Sequence, residues 1–405
     1  MSTPSTLPAL PPFGLNAHIH LPPNFSAFDT VAQAVDLARA QNVRVLGASN
    51  YYDYEVYREF SERASEAGIY PLFGLEVIAL LDDLQATGVK INDPGNPGKL
   101  YLCGKGLARL NPMTPEALTL LNKIRDSDSA RMARMTERLA EVFHDAGLDL
   151  GLDEAAVKAR IVRRHGSPVE TVYLQERHLA QAFQEVLFER IPVGERGPVL
   201  ERLFGTSTKR PDDAVSVQNE IRSHLMKAGR PAYERETFVG FDHAYRLVLA
   251  LGGIPCYPTL ADGANPICAF EEPVEELIGS LQSRGICCAE LIPLRNRPEV
   301  LSRYVLAMRR AGLVVTAGTE HNTLDLSPLA PACLDGAPVP EELQSIFWEG
   351  ACVVASHQYQ VSRGEPGFVD AEGRPNAAYT TDEARIRAFA EMGAELISSR
   401  VGTVS

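Results

Sequence analysis

Two histidines one residue apart, His18 and His20 in "NAHIH", are the first residues whose spacing suggests chemistry. On a strand, side chains two apart point to the same side, about 6–7 Å apart at Cα. Imidazoles so placed can converge on one metal, each ring nitrogen about 2.0–2.1 Å from it. An ordinary polar strand face places two histidines equally well, so the pair needs partners. Glu76 in "GLEV", Glu290 in "AELI" and Glu320 with His321 in "GTEHN" all fall at or just after the end of a strand-like run. Singly, each glutamate reads as a solvated loop carboxylate. Four strands delivering an acid or a histidine at one end read as a site, because parallel α/β folds gather function at the C-terminal ends of their strands.

The elements that must position these groups alternate. "FGLNAHIH" is strand-like, "FDTVAQAVDLARAQ" an amphipathic helix with Ser26 or Asp29 near its cap, and "VRVLGAS" a buried strand. "EVYREFSERASEAG" is a helix stopping at Gly68, followed by the strand "IYPLFGLEVIAL". The rhythm resumes in "FDHAYRLVLALGG"/"IPCYPTL", "VEELIGSLQSRG"/"ICCAELIPL" and "PEVLSRYVLAMRRAG"/"LVVTAG". Such repetition means βαβ units and a parallel sheet. Residues 107–237 are instead helical throughout, with Thr114 as a cap and Pro115 at a first helical position. The reading is an α/β barrel, over residues 13–106 and 238–405, carrying an α-helical insertion over 107–237 that caps its mouth. Residues 1–12 are rich in Pro, Ser and Thr and are expected to be poorly ordered.

Composition bounds the partners. With 45% hydrophobic and 22% charged residues the chain can build a large core. Its net charge of −13 argues against a sequence-independent grip on duplex nucleic acid. Seven scattered cysteines without a CxxC pair, and no secretory signal, read as free thiols in a reducing cytoplasm. No apolar run approaches the roughly 18 residues of a membrane span. The expected partner is a small-molecule substrate, with homo-oligomerisation left open.

The order "NAHIH", "GLEV", "YLQERHLAQAFQ", "GGIPCYP", "AELI", "GTEHN" resembles the PHP (polymerase and histidinol phosphatase) family over about residues 13–325. That resemblance implies a distorted (β/α)7 TIM-like barrel holding a metal cluster, usually of three ions, against a phosphate. Carried over by position, His18, His20, Glu76 and Glu320 form one metal's ligand set, a donor mix that suits zinc, manganese or iron. The other family ligands are altered. Asn50 and Tyr51 stand in place of Asp-His, and Tyr101 and Tyr257 in place of histidines. Asn322 takes the place of the last histidine, with His321 one position early. A phenol, with its pKa near 10, is a poor ligand at neutral pH. The resemblance therefore implies one metal per chain and a phosphoesterase-like hydrolase. Its expected catalytic residues are His321, Arg177 and Lys105, and Tyr51, Tyr101, Tyr257, His178 and Arg295 bind substrate. A one-metal hydrolase or lyase of a non-phosphate substrate, or a silent binding protein, are the alternatives. Three assignments stay open at this level. Lys105 meets an anion at a glycine-flanked turn or is a plain loop lysine. Arg295 clamps an anion or pairs with Glu290. His357 faces the site from a last strand or is simply buried.

Overall fold

The computed structural model describes residues 9–401. Of the N-terminal stretch expected to be poorly ordered, residues 1–8 lie outside the described residues. The chain divides into two compact units, one of residues 1–21, 30–121 and 239–405, the other of residues 22–29 and 122–238.

Among the described residues the first unit is built on eight strands: β1 (Gly14–Ile19), β2 (Val43–Asn50), β3 (Tyr70–Leu80), β4 (Lys99–Lys105), β5 (Val239–Gly240), β6 (Ile254–Thr259), β7 (Cys288–Leu291) and β8 (Val314–Ala317). Seven of them form the path β1-β2-β3-β4-β6-β7-β8, and β5 adds a short parallel pairing to the end of β3. A parallel bridge between Ile19 and Glu320 links the two ends of the path, so the sheet is a nearly closed barrel. This is the expected α/β barrel, with one difference. β4 runs antiparallel to both β3 and β6, not parallel. The reason is the connection before it. The 18 residues between Leu80 and Lys99 are enough in number for a parallel crossover, which is usually carried by an α-helix, but their one helix is the single turn Asp82–Ala86, followed by the turn-rich "INDPGNPG". That loop has a structural task. Asn92 accepts from Tyr101 N at 2.9 Å and donates to the carbonyls of Tyr101 and Pro258 at 2.9 and 2.8 Å, tying β4 to β6.

Amphipathic helices cover the parallel strands. The helix Val31–Ala40 is capped by Thr30, whose hydroxyl accepts from Gln33 N, rather than by Ser26 or Asp29. The helix Val56–Glu66 stops before Gly68, which turns the chain at φ 66°. The 22-residue helix Glu341–Ser362 lies across the N-terminal ends of the strands. Its Gln358 bonds Pro71 O and Phe73 N at the start of β3. Its His357 is held between Gly252 O at 3.0 Å and Phe368 N at 2.9 Å. His357 thus sits on a helix, at the end of the barrel opposite the strand ends that carry His20 and Glu320, and burial brings it down to about 4. Among the described residues no helix is long and apolar enough to cross a membrane.

The second unit is helical and packs around Leu139, Phe143, Phe183 and Leu187. Within it, Gln175 and His178 form a reciprocal capping box at the start of the helix Glu176–Arg190, with His178 Nδ1 accepting from Gln175 N at 3.1 Å. Burial, then the nearby His165 and Arg164, bring His178 down to about 3, so the ring is neutral. The Arg177 guanidinium lies 5.8 Å from the Phe25 ring centre.

Candidate metal centre

Inside the barrel, His18 on β1 and His20 just beyond it meet Glu76 of β3. The potential ligand atoms of these three residues all lie within 4.8 Å of one another. All three side chains are almost completely buried. Glu76 Oε2 is 3.6 Å from His18 Nε2 and 3.2 Å from His20 Nε2. Two donors sharing a tetrahedral metal at about 2.0–2.1 Å stand about 3.3 Å apart, so these separations are those of a ligand set. Two further atoms of the same groups, Glu76 Oε1 and His18 Nδ1, are already committed. Tyr51 donates its hydroxyl to Glu76 Oε1 at 2.8 Å and stacks on His20 at 5.3 Å with the rings 7° apart. His18 Nδ1 contacts Glu290 Oε2 of β7 at 2.6 Å. His18 Nε2 and Glu76 Oε2 are both buried and make no hydrogen bond. A buried polar atom without a partner is costly and calls for an explanation, and two that face each other fit a cation.

The barrel closes tightly around this point. After β8 the chain bends so that Thr319 N and Glu320 N donate to His18 O, and His20 N donates to Glu320 O at 2.9 Å. Glu320 and His321 both take positive φ, 63° and 51°, which side-chain-bearing residues rarely adopt. Such strain is concentrated at functional sites. Gly318 is required by contact, since a Cβ there would stand 2.3 Å from His18 Cβ. Asn50, where the family pattern has an aspartate, clamps the backbone of Leu21 through both ends of its amide at 2.9 Å.

A second cluster lies deeper. His18, Cys103 and Glu290 also bring possible ligand atoms within 4.8 Å, but an ammonium already occupies that group. Lys105, the last residue of β4, is 2% exposed. Its Nζ donates to Glu290 Oε1 at 2.6 Å and to Ala17 O at 3.2 Å. Burial pushes the Cys103 thiol up to about 12, so it stays neutral. The charges are ordered. Burial opposes ionisation of Lys105 and of Glu290, yet their mutual attraction keeps both charged. Burial also opposes charge on His18, but the Glu290 carboxylate outweighs it and raises that ring well above its ordinary value. Burial lowers His20 despite Glu76 beside it. Against its own burial, Glu76 is held below the usual carboxylate range by His18 and His20.

Several residues expected at the site are placed otherwise. Lys105 ends a strand and is neutralised within the barrel, so it is not an anion-binding turn residue. Arg295 pairs in bidentate fashion with Glu320, not with Glu290. Glu320 takes a third bond from Asn322 Nδ2 at 2.6 Å and lies outside the ligand group of His18, His20 and Glu76. His321 has both ring nitrogens engaged, by Thr319 Oγ1 at 2.7 Å and Ser327 O at 2.9 Å. Tyr101 does face the site side of the sheet, because it alternates with Cys103, which pairs with Glu76. Tyr257 does not. In β6 it is Pro258 that pairs with the inward Glu290, so Tyr257 points outward. There its hydroxyl donates to the fully buried Glu271 at 2.9 Å. Arg177 and His178 belong to the helical unit. The groups that sequence reasoning missed are Glu290 as a partner of His18, and Cys103. Their signal was alternation: Cys103 and Lys105 share a face, as do Cys288 and Glu290.

No family model matches the sequence, and no curated protein matches it. Solved structures do match. A "putative metal-dependent phosphoesterase" from Bifidobacterium adolescentis aligns with TM-score 0.56 at 16% identity, covering 82% of this chain and 94% of that one. An amidohydrolase from Chromobacterium violaceum, with bound sulfate and no metal, aligns with TM-score 0.51 at 17% identity, covering 82% of this chain and 96% of that one. At these identities the likeness is one of fold, and the fold shared is the strand–helix barrel described above.

Proposed function

We propose that the protein is a metal-dependent hydrolase with one divalent transition metal per chain, held by His18, His20 and Glu76. The observation that carries this reading is the pair of buried, unbonded ligand atoms, His18 Nε2 and Glu76 Oε2, at the strand ends of a barrel. The names of both similar structures, a phosphoesterase and an amidohydrolase, support hydrolysis. When bound, the metal supplies Lewis acidity, bringing the pKa of water toward about 7 and polarising a carbonyl or phosphoryl oxygen. The chain's own residues do the rest. Tyr51 fixes the Glu76 carboxylate, and Tyr101 offers a phenol at the mouth for a substrate oxygen. The Glu320–Arg295 pair borders the site on the side of His20 and Tyr51.

The substrate read from the sequence is a phosphoester. A second reading, hydrolysis of a neutral carbonyl compound, is favoured by one observation. Two of the three cations expected to meet an anion, Lys105 and Arg295 but not Arg177, are each already paired with a carboxylate. Turnover of the metal-loaded protein on phosphate monoesters and diesters, set against amides and lactones, separates the two. Activity on neither class would remove hydrolysis and leave a binding protein.

A further inference from the structure

The geometry points to Lys105 and Glu290 as positioning residues, a buried relay that fixes the proton and the aim of His18 so that its Nε2 faces the metal. The inference rests on the metal reading of His18. Glu290 Oε2 meets His18 Nδ1 at 2.6 Å, and Glu290 Oε1 meets Lys105 Nζ at 2.6 Å. Lys105 is in turn held by Ala17 O at 3.2 Å and Ser49 Oγ at 3.5 Å, and Thr316 Oγ1 lies 3.4 Å from Glu290 Oε1. The three side chains are between 0% and 2% exposed, so no solvent completes the network.

Each contact has a direction. An ammonium only donates and a carboxylate only accepts. Glu290 Oε1 is therefore taken by Lys105, and Oε2 is left to accept from His18. In the neutral ring, the form a metal takes, that places the proton of His18 on Nδ1 and the lone pair on Nε2, the atom facing Glu76 Oε2. A carboxylate behind a metal-binding imidazole orients it and strengthens it as a donor, and loss of such a partner costs 10–100-fold in metal affinity. The unusual part here is the lysine. A bare buried carboxylate would be costly, and an ammonium tethered to β4 balances it where a second metal ion would otherwise be drawn to His18, Cys103 and Glu290.

The test uses the full-length chain with Co2+ as probe, reading affinity, stoichiometry and the visible absorption band. Glu290→Gln and Lys105→Met are each expected to weaken Co2+ binding by about 10–100-fold and to shift the band. The double variant Lys105→Met/Glu290→Gln restores charge balance, so thermal stability should recover while affinity does not. A purely structural role predicts the opposite, with stability altered and the Co2+ affinity and band of the folded variants unchanged. That result would overturn the proposal. Should the single variants fail to fold, 15N-histidine NMR of the metal-free wild type, at a pH high enough to leave the His18 ring neutral, decides. A proton on His18 Nδ1 supports the relay, and a bare Nδ1 overturns it. Failure of the metal reading is separately visible, as no Co2+ binding by wild type or undiminished binding by His20→Ala, and the Nδ1 proton then still decides the relay.

Discussion

Gly318→Ala changes one methyl group and tests how tightly the site is packed. The added Cβ would stand 2.3 Å from His18 Cβ and 3.1 Å from both His18 Cα and N. Carbon atoms settle at about 3.5–4.0 Å, so the methyl falls short of contact distance by about 1 Å. It cannot be relieved by a side-chain rotation, because the obstacles are backbone and Cβ atoms. β1 is also pinned there, with Thr319 N and Glu320 N donating to His18 O. Overpacking of this kind costs about 1–3 kcal/mol. His18 must move outward, and its Nε2 must leave the position opposite Glu76. A loss of about 1.4–3 kcal/mol in metal binding corresponds to about 10–100-fold in affinity. The assay is Zn2+ or Co2+ titration alongside thermal denaturation. A Gly318→Ala protein with wild-type metal affinity would show that His18 is not held by this contact, and the argument from packing to ligand placement would collapse.

Glu76→Gln should abolish tight metal binding, whereas Glu320→Gln should reduce it less than tenfold, since Glu320 is committed to Arg295 and Asn322; equal losses would return Glu320 to the ligand set. Tyr51→Phe removes one bond to a charged acceptor, worth about 1.5–3 kcal/mol, and should weaken metal binding by roughly 10-fold; an unchanged titration would mean that Glu76 needs no such anchor. Tyr257→Phe should cost stability, about 1–3 kcal/mol, with metal content unaltered; lost metal would show that the phenol reaches the site after all. Burial raises Glu271 to about 7, against the bonds it accepts from Leu260 N, Tyr257 and Ala261 N, so the folded protein keeps a proton that the unfolded chain releases at about 4.5. Stability from this group is therefore present at low pH and falls between about pH 4.5 and 7, by about 3 kcal/mol. Denaturation midpoints across that window should decline in wild type and much less in Glu271→Gln; parallel curves would assign the decline to other groups.

The barrel and its strand ends were legible because alternation and helix stops are local properties. "FGLNAHIH" and "YPLFGLEV" each carry their facing in their own pattern. The direction of β4 was not, since it depends on the lack of a crossover helix between Leu80 and Lys99 rather than on any pattern within the strand. Of the candidate site, His18, His20, Glu76 and Tyr51 come together as their order along the chain implied. Tyr257 shows where positional carry-over fails. One residue along a strand reverses the face, and the register that makes Pro258 the partner of Glu290 is a property of the sheet alone. Lys105 and Arg295 show a second limit. Their charge was visible in the sequence, but that each would be neutralised by a glutamate from another strand or loop was not. The backbone strain at Glu320 and His321 likewise arises from closing the barrel onto His18.

Elemental analysis of the purified chain after dialysis tests the central claim most directly. One transition metal per chain is predicted in the wild type, and none in a His20→Ala protein that still folds. A wild-type protein that retains no metal, or a His20→Ala protein that retains it in full, would contradict a centre built from His18, His20 and Glu76.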